Sequence, residues 1–177
     1  GRGLDFLSTG SPPGMWISPA PRTVISGAPL KYVGVFRHAE IETVRQTAEQ
    51  LSLAAVQLHG HEDQQYINQL RKVLPADCQI WKALSVGDTM PERNLQQVER
   101  YVLDHGTGGT GQRFDWSLLA DQALDNVLLA GGLGPDNCDV AAQLGCAGLD
   151  VNSGVESAPG IKDPQRIAAV FQALRVY

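Results

Sequence analysis

The stretch AAVQLHGHEDQQYINQLRKVLPADCQIWKAL, residues 54–84, reads as strand, helix, strand. Its opening run, Ala54-Ala55-Val56-Gln57-Leu58, and its closing run, Ile80-Trp81-Lys82-Ala83-Leu84, are short and mostly apolar. Such runs fit strands buried on both faces. Between them Tyr66, Ile67, Leu70 and Val73 form one helical stripe, which Pro75 ends. This order predicts parallel strands joined by a right-handed βαβ crossover.

The alternation continues in both directions. Tyr32-Val33-Gly34-Val35-Phe36 precedes it; Tyr101-Val102-Leu103-Asp104, Val127-Leu128-Leu129-Ala130 and Gly148-Leu149-Asp150-Val151 follow. Gly3-Leu4-Asp5-Phe6-Leu7 is a seventh candidate strand. Helical stripes fill gaps between them. Residues 39–51 place Ile41, Val44, Ala48 and Leu51 on one face. Asp115 can cap a short helix carrying Trp116, Leu118 and Leu119. Pro135 suits the first turn of a helix through Leu144, with Gly145 just past its end. Asp163-Pro164 opens a last helix with Ile167, Val170, Phe171 and Leu174. An open doubly wound sheet and a (β/α)8 barrel both fit this rhythm. No Gly-x-Gly-x-x-Gly turn follows the first strand, which counts against dinucleotide binding.

Composition narrows the function. The chain has 177 residues, 43% apolar and 19% charged, enough for one ordinary core but short of the roughly 200 or more that close a full barrel. A net charge of −5 leaves no basic footprint for nucleic acid. No apolar run approaches the ~18 residues that span a bilayer, and residues 1–7 lack the long apolar core of a signal peptide. Cys78, Cys138 and Cys146 are odd in number and lack metal-ligand spacing. Neither a disulfide nor a metal site is expected, and a reducing cytoplasm fits best.

In parallel α/β folds, ligands bind at the carboxyl ends of strands. Asp104 stands at such an end, where a carboxyl can serve as a proton donor or simply as a turn residue. The glycine-rich segment with Gly109 and Gly111 is either a lid over a substrate pocket or a mobile connection. Gly131-Gly132 and Ser153-Gly154 follow two successive strands; such loops bind phosphate through backbone N–H groups or are tight turns. His59 either faces substrate or bonds a neighbouring strand.

Together these residues resemble phosphoribosylanthranilate isomerases of tryptophan biosynthesis, from about residue 30 to 177. The resemblance rests on Val33-Gly34-Val35-Phe36, Val56-Gln57-Leu58-His59-Gly60, Trp81-Lys82-Ala83, Leu103-Asp104, Gly108-Gly109-Thr110-Gly111 with Phe114-Asp115-Trp116, Leu129-Ala130-Gly131-Gly132-Leu133, Asp150-Val151-Asn152-Ser153-Gly154-Val155-Glu156 and Pro159-Gly160-Ile161-Lys162-Asp163. It is strongest to the version fused behind indole-3-glycerol-phosphate synthase. It implies a (β/α)8 barrel and a cofactor-free Amadori rearrangement of N-(5-phosphoribosyl)anthranilate, a small phosphorylated substrate. It makes Asp104 the general acid, Gly131, Gly132, Ser153 and Gly154 the phosphate loops, and His59, Gly109 and Gly111 part of the pocket. A synthase domain, fused or packed alongside, is the implied partner; neither nucleic acid nor membrane is.

Two family motifs are missing. The general base is a cysteine in a Lys-Ile/Val-Cys-Gly strand, and no cysteine here stands in that pattern. An arginine for the anthranilate carboxylate, in Ser-x-Arg-Tyr/Cys-Val, is absent too. The expectation is a barrel without its first β/α unit: residues 1–30 hold a degenerate or frame-shifted remnant of strand 2 and helix 2, and residues 31–177 hold units 3 to 8. Such a barrel has two unpaired edges, which invite aggregation or partner pairing, and the chain as written should be nearly inactive. The alternatives are a non-catalytic phosphate-binding remnant, or another phosphosugar isomerase such as one of histidine biosynthesis. Trp81-Lys82-Ala83 and Phe114-Asp115-Trp116 favour the tryptophan pathway over the latter.

Residues 8–30 contain Pro12, Pro13, Pro19, Pro21 and Pro29, half of the ten prolines, with Arg22 as their only charge. Pro13-Gly14-Met15-Trp16-Ile17 is encoded CCN GGN ATG TGG ATH. Read from the third base of the Pro13 codon, this becomes NGG NAT GTG GAT, which spells Arg-Tyr-Val-Asp when the two free bases allow. Val and Asp are forced by the unique Met and Trp codons. A shifted frame over about residues 10–22 restores the missing arginine and accounts for the proline excess. Resequencing is expected to show compensating insertions or deletions bracketing these codons relative to close relatives; an uninterrupted frame overturns the idea.

Overall fold

The computed structural model describes residues 15–17, 30–105 and 113–174. They fall into two compact units, one running to Lys82 and including Asn94–Glu99, the other comprising Ala83–Arg93 and the residues from Arg100 onward.

In the first unit, β1 (Met15–Ile17), β2 (Val33–Phe36), β3 (Ala55–Leu58) and the first half of β4 (Gln79–Val86) lie side by side. The last three are parallel, with rows Val35↔Gln57↔Trp81 and Phe36↔Leu58↔Lys82. Their crossovers are α1 (Ile41–Gln50) and α2 (Gln64–Val73). Phe36, Val56, Leu58 and Ile80 pack on Val44 and Ala48 of α1 and on Ile67 and Leu70 of α2. Strand alternation therefore turns Val35, Gln57 and Trp81 to the opposite face. Asp63 caps α2 by accepting from Tyr66 N at 2.9 Å, and Leu74 leaves the helical region just before Pro75.

β1 runs antiparallel to β2, with Trp16 opposite Val35. A parallel neighbour would need a crossover connection of a dozen or more residues, whereas an antiparallel one needs none. The remaining expectations for residues 1–30, the Gly3–Leu7 strand included, lie outside the described residues.

A buried ion pair closes the carboxyl end of this unit. Lys82 Nζ, 5% exposed, donates to Glu62 Oε2 at 3.0 Å, Gly60 O at 2.6 Å and Leu58 O at 3.3 Å. Glu62 also accepts from His38 N and Gly60 N, both at 2.9 Å. The carboxylate thus ties the turn after β2 and the loop after β3 to β4.

The second unit repeats the pattern with β5 (Arg100–His105), β6 (Val127–Leu129) and β7 (Gly148–Leu149), all parallel, in rows Val102↔Leu128↔Gly148 and Leu103↔Leu129↔Leu149. Val86, Leu103, Val127 and Leu129 build a core with Phe114, Leu119, Leu133 and Ala141. The expected helix after Asp115 is a short 3-10 turn, Trp116–Leu119, with Asp115 Oδ1 accepting from Ser117 N. The helix expected from Pro135 to Leu144 is shorter: α3 spans only Cys138–Ala142. The reason is Asn137, whose side chain accepts from Gly134 N and donates to Gly132 O, holding residues 132–137 as a loop. Gly145 follows with φ +82°, the left-handed position the sequence placed there. β7 stops at Leu149, leaving Asp150 and Val151 in the following loop. A two-stranded hairpin, β8 (Glu156–Ala158) and β9 (Ile161–Lys162), leads into α4 (Pro164–Leu174), which Asp163 caps through Gln165 N at 2.8 Å.

Lys82→Met leaves the Glu62 carboxylate buried without its cation and is expected to cost about 3–5 kcal/mol in urea unfolding. Adding Glu62→Gln should recover part of that loss, because the neutral amide still accepts an N–H. Burial alone would push the Glu62 carboxyl up; the backbone N–H donors and Lys82 outweigh it and hold it below the usual glutamate range. The stability it contributes is therefore present above the unfolded glutamate pKa and is lost as pH falls through the folded value. A pH series in which the wild-type advantage over Glu62→Gln does not shrink on acidification overturns this account.

Candidate functional site

The carboxyl ends of β5, β6 and β7 position the candidate site of the second unit. The ladder runs one residue past the paired rows, with Ala130 N donating to Leu103 O and Asp150 N to Leu129 O, both at 2.8 Å. Asp104, Ala130 and Asp150 thus occupy the next row. Leu103 and Leu129 turn into the core, so alternation turns Asp104 and Asp150 to the other face. Asp104 Oδ1 also accepts from His105 N at 2.7 Å. Burial pushes the Asp150 carboxyl above the usual aspartate range, the Asp104 charge adds to this, and Lys162 opposes it. Two carboxyls thus share one face, and the environment of Asp150 disfavours its charged form. The sequence reading gave Asp150 no role. Its signal was the one used for Asp104: an acid directly after an apolar strand run.

Two loops meet beside this row. Gly131 and Gly132 have φ +90° and +63°, a turn that glycine adopts without strain. Gly154 passes so close to the first loop that a Cβ on it would lie 1.9 Å from Leu133 O and 2.9 Å from Gly134 Cα. Ser153 opens a short 3-10 turn, Ser153–Val155, anchored where Val155 packs on Cys138 and Val170. The structure therefore brings Gly154 close to the loop that follows Gly131-Gly132, at Leu133 and Gly134.

His59 belongs to the first unit, at the end of β3. Its backbone N–H donates to Phe36 O at 2.7 Å, and its Nδ1 lies 3.2 Å from Gln57 Nε2. Gln57 is 6% exposed and on the face away from the helices, so it fixes the ring there. Gly109 and Gly111 lie outside the described residues. Beyond them, the Arg113 guanidinium sits 5.2 Å from the Trp116 ring centroid, in a cleft of about 310 Å³ that Phe114 and Asp115 also line. Among the described residues no group of three or more His, Cys, Asp or Glu is placed to hold a metal ion, and no helix is long and apolar enough to cross a membrane.

Comparison with known proteins fits this geometry. The family model for N-(5′-phosphoribosyl)anthranilate (PRA) isomerase matches residues 6–173. The tryptophan biosynthesis protein TrpCF of Yersinia pestis is 93% identical over 175 residues, 99% of this chain and 36% of that protein. TrpCF of Salmonella typhi is 61% identical over 175 residues, 99% of this chain and 38% of that protein. The chain thus spans little more than a third of the length of these relatives. Phosphoribosyl anthranilate isomerase from Thermus thermophilus superposes with TM-score 0.70 at 32% identity, covering 81% of this chain and 72% of that one. A phosphoribosyl anthranilate isomerase in complex with reduced 1-(o-carboxyphenylamino)-1-deoxyribulose 5-phosphate superposes with TM-score 0.66 at 30% identity, covering 82% and 71%. The parallel α/β succession is accordingly that of the (β/α)8 barrels it superposes on, and the chain belongs to the N-(5′-phosphoribosyl)anthranilate isomerase family.

Proposed function

We propose that these 177 residues carry the acid and phosphate-binding part of an isomerase that converts N-(5-phosphoribosyl)anthranilate to 1-(2-carboxyphenylamino)-1-deoxyribulose 5-phosphate. Asp104 gives a proton to the furanose oxygen, the C1′–O bond breaks, and a Schiff base forms. Removal of the C2′ proton by a general base then yields the enolamine, which tautomerises to the ketose. Asp150 lies two strands from Asp104 on the same face, and burial, with the Asp104 charge adding to it, raises the Asp150 carboxyl above the usual aspartate range. The observation that carries the reading is the backbone contact of Gly154 with Leu133 and Gly134, which joins the two loops the family uses for phosphate. For His59, Gly109 and Gly111 the family resemblance likewise implies a role in binding substrate. Residues 1–30 are read as the remnant of unit 2, and residues 31–177 as units 3 to 8.

None of the three cysteines suits the role of base. Burial pushes the Cys78, Cys138 and Cys146 thiols up, away from the thiolate that proton abstraction requires. The 177 residues alone therefore bind without turning over. A synthase neighbour and a cytoplasmic setting follow the TrpCF relatives, whose remaining length this chain does not cover.

Calorimetry on the 177-residue chain is expected to show binding of reduced 1-(o-carboxyphenylamino)-1-deoxyribulose 5-phosphate, a clear preference for it over the phosphate-free compound, and no turnover of N-(5-phosphoribosyl)anthranilate. Equal affinity for both compounds overturns the phosphate-loop assignment, and sustained turnover overturns the assignment of the base. Gly154→Ala forces a methyl against Leu133 O. It should cost about 1–3 kcal/mol of stability and abolish the phosphate preference, by the same titrations and by urea unfolding.

A further inference from the structure

We propose that Lys162 is a positioning residue, which sets the Asn152-Ser153-Gly154 loop for the phosphate of a sugar-phosphate ligand without touching that phosphate. The inference rests on the phosphate-loop reading above and adds a residue to it.

An ammonium has three donors and no acceptor. Lys162 Nζ uses them on Asn152 O at 3.0 Å, Asn152 Oδ1, and Glu156 Oε1 at 2.7 Å. Each donor has an acceptor within the chain, so none is left for a ligand. Glu156 is the cross-strand partner of Lys162 in the β8–β9 hairpin, and only 16% of its side chain is exposed. Its other carboxylate oxygen accepts from Gly160 N at 3.2 Å, and its carbonyl accepts from Arg166 Nη1 of α4 at 2.6 Å. The hairpin is thus a bracket fixed to α4, and Lys162 is the arm that reaches the loop.

The loop is held at both ends. Asn152 is gripped by Lys162 through backbone and side chain. Val155 is anchored by packing, and its carbonyl accepts from Asp163 N at 2.8 Å. Between these anchors Gly154 sits hard against Leu133 and Gly134. Freeing Asn152 lets one side of the loop drift while the other stays pinned, and backbone donors lose their aim at a phosphate. The Lys162 charge is already matched by Glu156, so its bare attraction for a distant anion is small.

The test titrates the whole chain with reduced 1-(o-carboxyphenylamino)-1-deoxyribulose 5-phosphate and with the phosphate-free compound, at low salt and at about 0.5 M salt. Lys162→Met should weaken the phosphorylated compound about tenfold and leave the phosphate-free one unchanged. The loss should persist at high salt, and Lys162→Arg should restore most of it. An unchanged affinity, an equal loss for both compounds, or a loss that disappears with salt each overturns the positioning role; the last would make Lys162 a simple attracting charge. No phosphate preference in the wild type overturns the phosphate-loop reading and this inference together. A preference undiminished in Lys162→Met overturns the inference alone.

Discussion

Parallel pairing dictates almost everything else in these two units. A strand that runs beside its neighbour in the same sense brings equivalent side chains to the same face, row after row. In the first unit this sends Phe36 and Leu58 into the helices and turns Val35, Gln57 and Trp81 away from them. In the second it sinks Leu103 and Leu129 and presents Asp104 and Asp150 together. Chemistry sits at the strand ends because there the apolar row stops and the next residue keeps its assigned face. The acid pair is a by-product of register.

The loops beyond those ends depend on shorter-range forces. Asn137 fixes the first by a pair of hydrogen bonds to residues 132 and 134. Gly154 fixes the second by having no side chain where the Leu133 carbonyl passes. Ion pairs then do opposite jobs in the two units. Lys82–Glu62 is almost fully buried and holds strand ends together, whereas Lys162–Glu156 is partly exposed and reaches the Asn152 loop.

The sequence reads well wherever the cause is local. Apolar runs located β2 to β6 to within two residues or so. Asp63 was not singled out as a cap, but Asp115, the Asp163-Pro164 pair and Gly145 do what their residue types demand. What escaped was set across distance. The Glu62–Lys82 contact joins residues twenty positions apart, and no spacing rule marks it. The Asp150 carboxyl is raised first by its burial and then by the charge of Asp104, two strands away. α3 lost its first turn to a side chain that bonds backward rather than into the helix. β7 ended early for a reason no periodicity carries. In the candidate site, motif and strand end coincide at Asp104 and the glycine loops, so the sequence marks them, while Lys162 stands in it only as one letter of a motif.

The reversed strand β1 bears on how the protein behaves in a crowded solution. β2 would otherwise present a bare row of amide and carbonyl groups, a template on which another chain can grow. Met15–Ile17 covers that row with three residues, and in the antiparallel sense it needs no helix to do so. The opposite end of the ordering, β7, is two residues long, too short to nucleate a foreign strand. The three residues of β1 thus leave one bare strand edge fewer for another chain to pair with.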